Sequence, residues 1–466
     1  MEKDNLAKIK DTFYSLWDMY VIFYMAYVAS LMIIPVQELL AKVFPAHYAV
    51  VLFVGLMLTA VYMLISWKTL FRIDVLFPAL FLLLGFLSSC VNHQYAFMAN
   101  IKGLCREGIF FACFYLLNRN ENALKVNQFF EKIVKVYSTI WFIAVSGSFY
   151  QFLSGVGGLI DTPFYETKIH RVGFFEQRLF GVFSDPNYAA MCSLTVIILN
   201  IFVLLQCCEK KYYKIFIIIN MVFQWIYIIL SGSRTALLAA CVAGGVAGFF
   251  WSLHRCCLAK YKMHKGVLKS IIVACAVVVA ILCSDKIVKE TVTYIPLLVE
   301  SLNGNNIGKI NLDREDVVNS SNISNNRFQI WKDAITVWKH TPIIGATYRG
   351  YLDFAKERVG DLYIVQKKYS LHNGYISALT FSGILGFLLA IIWGGYIIAM
   401  NLKYLFGNLY DPDEHYYKNL VVFSGIVGCG VAALTLSMIF YSTTTIDAIF
   451  WCMCGFSVFS LQNLKK

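Results

Sequence analysis

The chain has 466 residues, 59% of them apolar and 15% charged, with 40 Lys and Arg against 28 Asp and Glu. Soluble domains carry about 25% charged residues, so this composition excludes a soluble enzyme and points to an integral membrane protein. The net charge of +12 is spread over loops with no compact basic domain, which excludes nucleic-acid binding and fits attraction to anionic lipid.

Taken in chain order, residues 1–18 open with Leu6, Ile9, Phe13, Leu16 and Trp17 on one helical face. This spacing predicts an interfacial helix lying on the inner leaflet. The first apolar run is too long for a cleavable signal peptide and lacks a small-residue cleavage site. Apolar runs near the ~20 residues that span a bilayer recur about twelve times, at 19–38, 46–66, 74–91, 103–117, 133–153, 187–206, 213–230, 235–251, 267–283, 373–400, 419–440 and 446–463. The expected fold is an all-α polytopic membrane protein of about twelve transmembrane helices. Helices 1–9 occupy 19–283, a long helical loop occupies 284–371, and helices 10–12 lie within 372–466. Spans one to five carry almost no ionisable residue at mid-membrane depth, which argues against an ion pathway.

With the N-terminus in the cytoplasm, the Lys and Arg of the short loops fall mainly inside, in clusters such as Lys210, Lys211 and Lys214, then Lys260, Lys262, Lys265 and Lys269. Long loops are exempt from this bias. The reading is a multi-pass protein with both termini cytoplasmic and the long loop extracytoplasmic. The 14 cysteines read as membrane filler without a disulfide framework. Cys207-Cys208 and Cys256-Cys257, near His254 and His264, lack the usual zinc-ligand spacing, so no metal and no cofactor is expected.

The polar chemistry collects on the outer side. The loop 154–186 carries Asp161, Glu166, Arg171, Glu176, Arg178 and Asp185, and closes with Asp185-Pro-Asn187, a helix-start signal. Asp185 can simply cap the sixth span. Arg178 is harder to explain, because a cation near a helix N-terminus opposes the macrodipole unless an anion sits between. Arg234 follows Ser231-Gly-Ser233 in a tight turn, as an interfacial residue on lipid phosphate or as an anion clamp. In the long loop, Asn325 or Asn326 can cap a helix bearing Trp331, Ala334, Ile335 and Trp338 at i, i+3, i+4, i+7, with Arg327 in its first turn and Pro342 to Gly345 after its end. Lys356, Lys367 and Lys368 read as solvated charges. His372-Asn373 then opens the tenth span. His372 is either a structural cap or, with an unperturbed pKa near ~6.5, an acid–base group. Asp411-Pro-Asp413 has the carboxylate spacing of metal-dependent nucleotide-sugar enzymes, but lies in a cytoplasmic loop and reads as a turn.

In order, Arg178…Gly181…Asp185-Pro-Asn187, Ser231-Gly-Ser-Arg234 with Leu238, Arg327…Trp331…Pro342…Gly345 and His372-Asn373-x9-Gly383-x2-Gly386 resemble the O-antigen ligase and O-antigen polymerase superfamily of bacterial membrane glycosyltransferases. Gly345-Ala-Thr347 departs from that pattern, in which a second Gly is common. The resemblance implies a GT-C-like fold in the bacterial plasma membrane with an extracytoplasmic active site. It also implies an undecaprenyl-diphosphate-linked glycan donor, a sugar hydroxyl acceptor, inversion without metal, and a chain-length regulator and flippase as working partners. Under it, Arg178, Arg234 and Arg327 hold the diphosphate, His372 is the base or positions the acceptor, and Asp185 and Asn373 support them. Polymerisation of lipid-linked repeat units into O-antigen or capsule, and ligation of finished glycan to a lipid core or other acceptor, share this donor and both stay open. A transporter or lipid-glycan flippase is the rival of another class; the off-centre loop and the lack of a repeated Ser-Gly-Ser-Arg or His-Asn segment argue against two similar halves.

Overall fold

The computed structural model describes residues 2–117, 123–162, 169–206, 210–294, 312, 326–412 and 415–463. The elements follow in order as α1 (Glu2–Ser30), α2 (Ile34–Val43), α3 (His47–Ile65), α4 (Ile73–Val91), α5 (Phe97–Phe110) and α6 (Ala123–Leu153). A small sheet comes next: β1 (Gly157–Asp161), β2 (Ile169–Phe175) and β3 (Arg178–Gly181). Then come α7 (Pro186–Leu205), α8 (Lys211–Leu230), α9 (Arg234–Leu258), α10 (Met263–Val292), α11 (Arg327–Lys339), α12 (Tyr351–Arg358), α13 (Tyr363–Lys367), α14 (Gly374–Gly407), α15 (His415–Ala432) and α16 (Thr445–Asn463).

Among the described residues, nine helices are long and apolar enough to cross a membrane: α3, α4, α6 to α10, α14 and α16. The other three expected spans fall on α1, α5 and α15. The first half of α1 is charged, α5 carries Lys102, Arg106 and Glu107, and α15 is only 18 residues long. The chain is thus a mostly helical, multi-pass membrane protein. α7 and α16 are central, with 72% and 83% of their apolar windows inside the protein, whereas α3 and α10, at 11% each, face outward.

Two features depart from the predicted layout. No break separates an interfacial helix 1–18 from a span at 19–38, because α1 is one continuous helix of 29 residues. At ~1.5 Å per residue it outruns the ~30 Å hydrocarbon core, so its charged start projects beyond the span. Trp17 is fully buried and stacks on Tyr62 with centroids 4.5 Å apart. The chain then turns at Leu31–Ile33, and Pro35 sits in the first turn of α2.

The second departure is the antiparallel sheet β1-β2-β3, which an all-α reading omits. Glu176 and Gln177 join β2 to β3 with φ of 50° and 55°. Two central residues with positive φ match the type I′ twist that a two-residue hairpin prefers.

Buried amides cross-link the helices. The Asn220 Nδ2 donates to Ser138 Oγ at 2.9 Å, Ser138 Oγ donates to Asn200 Oδ1 at 2.9 Å, and Gln224 Nε2 donates to Asn220 Oδ1 at 2.8 Å. This ties α6, α7 and α8 together, as interhelical hydrogen bonds do in membranes, although Asn200 Nδ2 and Gln224 Oε1 meet no partner among the described residues.

The turns at one end of the bundle meet through hydrogen bonds. Ser184 N donates to Met32 O, Ala346 N to Thr380 O and Gly374 N to Ala433 O; Asn92 Nδ2 donates to Gly345 O, and Thr445 Oγ1 to Val28 O. This loop end holds the sheet, the α8–α9 turn, the segment 341–373 and the turn 433–444.

α14 kinks at Gly383, whose φ is 66°. There the loop backbone replaces missing helical bonds. Ile384 N donates to Pro342 O at 2.8 Å, and Thr347 N donates to Phe381 O at 3.1 Å. A Cβ on Gly383 would collide with the Ile343 carbonyl, and one on Gly345 (φ 77°) with the Phe381 backbone. Thr347 also has positive φ (63°), and its hydroxyl lies 3.1 Å from Ser89 Oγ. Gly383→Ala is therefore expected to cost more than the ~1–3 kcal/mol of the backbone strain alone, read as a lowered thermal unfolding midpoint in detergent. An unchanged midpoint would show that the loop does not need its close seat on α14.

Candidate functional site

Arg178 opens β3 and is half-buried. Its Nε donates to the Ser231 carbonyl at 2.7 Å and its Nη2 to Asn187 Oδ1 at 2.7 Å. The guanidinium also lies 5.7 Å from the Phe180 ring centroid. These bonds fasten the sheet to the start of α7 and to the α8–α9 turn, and both acceptors are uncharged.

Asp185 caps α7. Its Oδ1 accepts from Asn187 N at 2.7 Å and Tyr188 N at 3.3 Å. Pro186 fills the first helical position, where a missing N–H costs nothing. The Asp-Pro-Asn string thus folds as its residue types dictate.

The α8–α9 turn is a hydrogen-bonded knot. Ser231 Oγ donates to Ile228 O at 2.6 Å and accepts from Ser233 N at 3.2 Å. Gly232 has φ 61°. Ser233 caps α9 through Ala236 N at 3.4 Å. Arg234 is then the first residue of α9, and it is exposed.

Arg327 is the first residue of α11 and is half-buried. Of the two expected caps, Asn326 has φ 62° and makes no side-chain capping bond; Asn325 lies outside the described residues. Trp331 Nε1 donates to the Leu371 carbonyl at 3.1 Å. α11 is thereby anchored beside the start of α14.

His372 and Asn373 divide two roles that sequence alone leaves joined. Asn373 is the cap of α14: its Oδ1 accepts from Tyr375 N and Ile376 N, each at 3.0 Å, and its Nδ2 donates to Leu434 O at 2.9 Å. Asn373 is buried and its amide is engaged in structure. His372 precedes it with φ 48°, and its Nε2 lies 3.3 Å from Ser370 Oγ. Burial is the largest cause that holds the His372 pKa below its ordinary 6.5; the Arg327 charge lowers it further, and Asp185 opposes. The imidazole is therefore neutral at pH 7, and both Arg327 and Asp185 lie within electrostatic reach of it.

The structure thus gathers His372, Arg327 and Asp185 into one neighbourhood. Arg178 joins through Asn187 and Ser231. The turn bearing Arg234 abuts the same end, where Thr235 Oγ1 lies 2.8 Å from Thr435 Oγ1. Lys367 and Lys368 are exposed, as expected of solvated charges. Glu166, Cys207-Cys208 and Asp413 lie outside the described residues. His254 bonds to Tyr417 Oη at 3.0 Å and to the Asp411 carbonyl at 2.9 Å.

Two groups at this end escaped the sequence reading. Asp447, fully buried, accepts from Ile439 N (2.6 Å), Ser442 Oγ (2.6 Å) and both Thr444 N (2.8 Å) and Thr444 Oγ1 (2.7 Å). It shapes the turn 433–444, whose Leu434 and Ser437 carbonyls receive Asn373 and Tyr188. Thr444-x-x-Asp447 is a variant of the capping box, so the signal was available. The second is α5: Arg106 and Glu107 lie within a helix of the first half, contrary to the expectation of almost no ionisable residues there. Glu107 faces the backbone of the turn 433–444 at Tyr441 and Ser442.

Comparison with curated proteins returns no match. The O-antigen ligase family model matches residues 219–391, from α8 into α14. That range contains Arg234, Arg327, His372, Asn373, Gly383 and Gly386, and begins after Arg178 and Asp185. Over residues 219–391 the chain is similar to the O-antigen ligase family.

Proposed function

We propose that this protein is an inverting glycosyltransferase that polymerises undecaprenyl-diphosphate-linked repeat units into surface polysaccharide, with its loop end on the extracytoplasmic face of a bacterial plasma membrane. The observation that carries the reading is His372 just before the Asn373 cap of α14, at hydrogen-bond distance from Ser370 and within electrostatic reach of both Arg327 and Asp185. A neutral imidazole can take the proton of an acceptor sugar hydroxyl as its oxygen bonds to the anomeric carbon. The bond from that carbon to the diphosphate breaks on the opposite face, and the lipid diphosphate leaves with both electrons. Arg327 and Arg234 stabilise its growing negative charge, because bidentate guanidinium–phosphate pairs are strong, directed contacts. Arg178 supports them by holding the turn that carries Arg234.

A place for the lipid supports a polyprenyl donor. An apolar groove of about 1020 Å³ runs between α7, α8, α9, α10 and α15, lined by residues such as Ile197, Trp225, Gly244, Gly248 and Val277. A second groove of about 550 Å³ continues from it and shares Ile197 and Trp225. Gly244 and Gly248 keep the α9 wall low against α10. Arg234 stands at the loop end of the same α9, where a diphosphate would emerge from such a groove.

Deletion followed by gel analysis of surface glycan separates the products. Single-repeat glycan supports polymerisation. Polymer retained on the carrier, with none attached to its acceptor, assigns ligation instead. Unpolymerised, untranslocated glycan on the cytoplasmic side would favour a flippase. Arginines supplying the positive charge also predict that transfer from a lipid-diphosphate donor continues in chelator. A complete loss restored by divalent metal would contradict the mechanism.

A further inference from the structure

A separate cavity of about 220 Å³ opens at the loop end between α1, α2, α3, α5 and the starts of α7 and α16. None of its lining residues lies in the family-matched range 219–391. It is smaller than the ~300–1,000 Å³ of pockets that enclose a drug-sized molecule, so it suits one end of a larger ligand.

Its chemistry is mixed in a particular way. Tyr27, Tyr48 and Tyr188 contribute aromatic faces and hydroxyls, Gln37 an amide, Thr444 a hydroxyl. The Tyr188 hydroxyl donates to the Ser437 carbonyl at 2.9 Å, which leaves its oxygen able to accept. Tyr27 Oη sits 2.8 Å from His47 Nδ1, and Gln37 Nε2 donates to Tyr48 Oη at 3.3 Å. One wall carries the Asp185 carboxylate and another the Arg106 guanidinium. Aromatic faces ringed by donors and acceptors of both signs are what a polyhydroxylated ring requires.

Arg106 is the telling residue. α5 begins at the loop end, where Asn100 Oδ1 accepts from Arg349 N at 2.7 Å. Nine residues after Phe97, Arg106 lies ~14 Å along the helix. There it lines the same cavity as Tyr48, Ser184 and Asp185, and a cation among packed helices is retained where it faces a cavity with a partner or substrate. Its guanidinium lies 5.8 Å from the Tyr48 ring centroid, and among the described residues no carboxylate is within ion-pair reach.

The cavity also lies on the far side of α7 from the apolar groove. Tyr188 lines the cavity and Ile197 lines the groove. Nine residues at about 100° each place them roughly half a turn apart on α7. Asp185, at the head of the same helix, faces the cavity and acts on His372.

We propose that this cavity is a sugar-binding subsite for the acceptor glycan, with Arg106, Tyr27, Tyr48 and Tyr188 seating a ring so that the next sugar's hydroxyl reaches His372. The inference rests on the glycosyltransfer reading: the lipid-linked donor approaches along one face of α7 and the acceptor from the other.

The test uses the full-length protein in nanodiscs, as wild type, Arg106→Gln and Tyr48→Ala, each checked for an unchanged thermal midpoint. With a lipid-diphosphate glycan donor and a titrated oligosaccharide acceptor released from the cell's own lipid-linked glycan, both variants should raise the acceptor KM. The expected rise is roughly tenfold or more, the loss that follows removal of hydrogen bonds to a charged group. kcat and donor KM should stay within about twofold. Unchanged acceptor KM, or an equal rise in donor KM, overturns the subsite. Equilibrium dialysis of the same fluorescently labelled oligosaccharide separates the two readings. Binding lost in both variants keeps the subsite even if wild type transfers nothing and the enzymatic reading falls. Equal binding by all three proteins, or none by wild type, removes it.

Discussion

Replacing His372 with Ala is expected to lower glycan transfer by about 10²–10⁴-fold, the usual contribution of a general base, while the protein still inserts and binds its lipid-diphosphate donor. The reason is a division of labour. His372 does not cap α14, since Asn373 does so with both parts of its amide. The imidazole can therefore be removed without unmaking the helix start, and donor affinity rests on the arginines. The pH profile of wild type supplies an independent reading. Burial first, and Arg327 second, hold the His372 pKa below 6.5. Activity requires the neutral ring, so kcat/KM should be full at pH 7 and fall on an acid limb whose midpoint lies below the ordinary histidine value. Stability follows the same sign. The unfolded chain binds this proton more readily, so the contribution is present above about pH 6.5 and is lost as pH falls through the lowered value. Near-normal transfer by well-expressed His372→Ala would leave the histidine structural and the base unassigned.

Arg234→Lys is expected to be nearly as damaging as Arg234→Ala, each lowering transfer on the order of 10²–10³-fold, the scale seen when one preorganised donor to a developing anion is lost. Lys keeps the charge but offers a point, whereas Arg presents a planar fork that can bridge two phosphate oxygens. The backbone around it tolerates the change. Arg234 is exposed, and the turn before α9 is held by the Ser231 hydroxyl and the Ser233 cap. Lys367→Ala, on an exposed residue of the same loop, should change transfer by less than about twofold, as for surface substitutions away from special features. A normally active Arg234→Lys, measured with the lipid-diphosphate donor at saturating acceptor, would reduce Arg234 to a source of general positive potential. Since Arg178 grips the Ser231 carbonyl, Arg178→Ala should act partly through that turn and so resemble a milder Arg234 variant.

The sequence by itself determined what depends on local chemistry and on the bilayer. Apolar run length located α3, α4, α6 to α10, α14 and α16, because every backbone group in hydrocarbon must be satisfied within a helix. Residue type also set the helix starts at Asp185-Pro186 and Ser233, where short polar side chains satisfy free N–H groups. Tertiary structure alone decided the rest. The sheet was hidden because Glu176-Gln177 carries no Asn-Gly signal, and its positive φ values are imposed by strand pairing. Which of His372 and Asn373 caps α14 could not be read from two adjacent polar residues; the Leu434 carbonyl, sixty-one positions away, orients the asparagine. The kink at Gly383 exists because the backbone of 342–347 replaces the helix's own hydrogen bonds. Arg106 drew no notice in the sequence, since only the packing of α1, α2, α3 and α7 around it makes a cavity for its charge. Local patterns report the cost of burying a backbone, whereas a site depends on which distant groups the packed helices bring within a few ångströms.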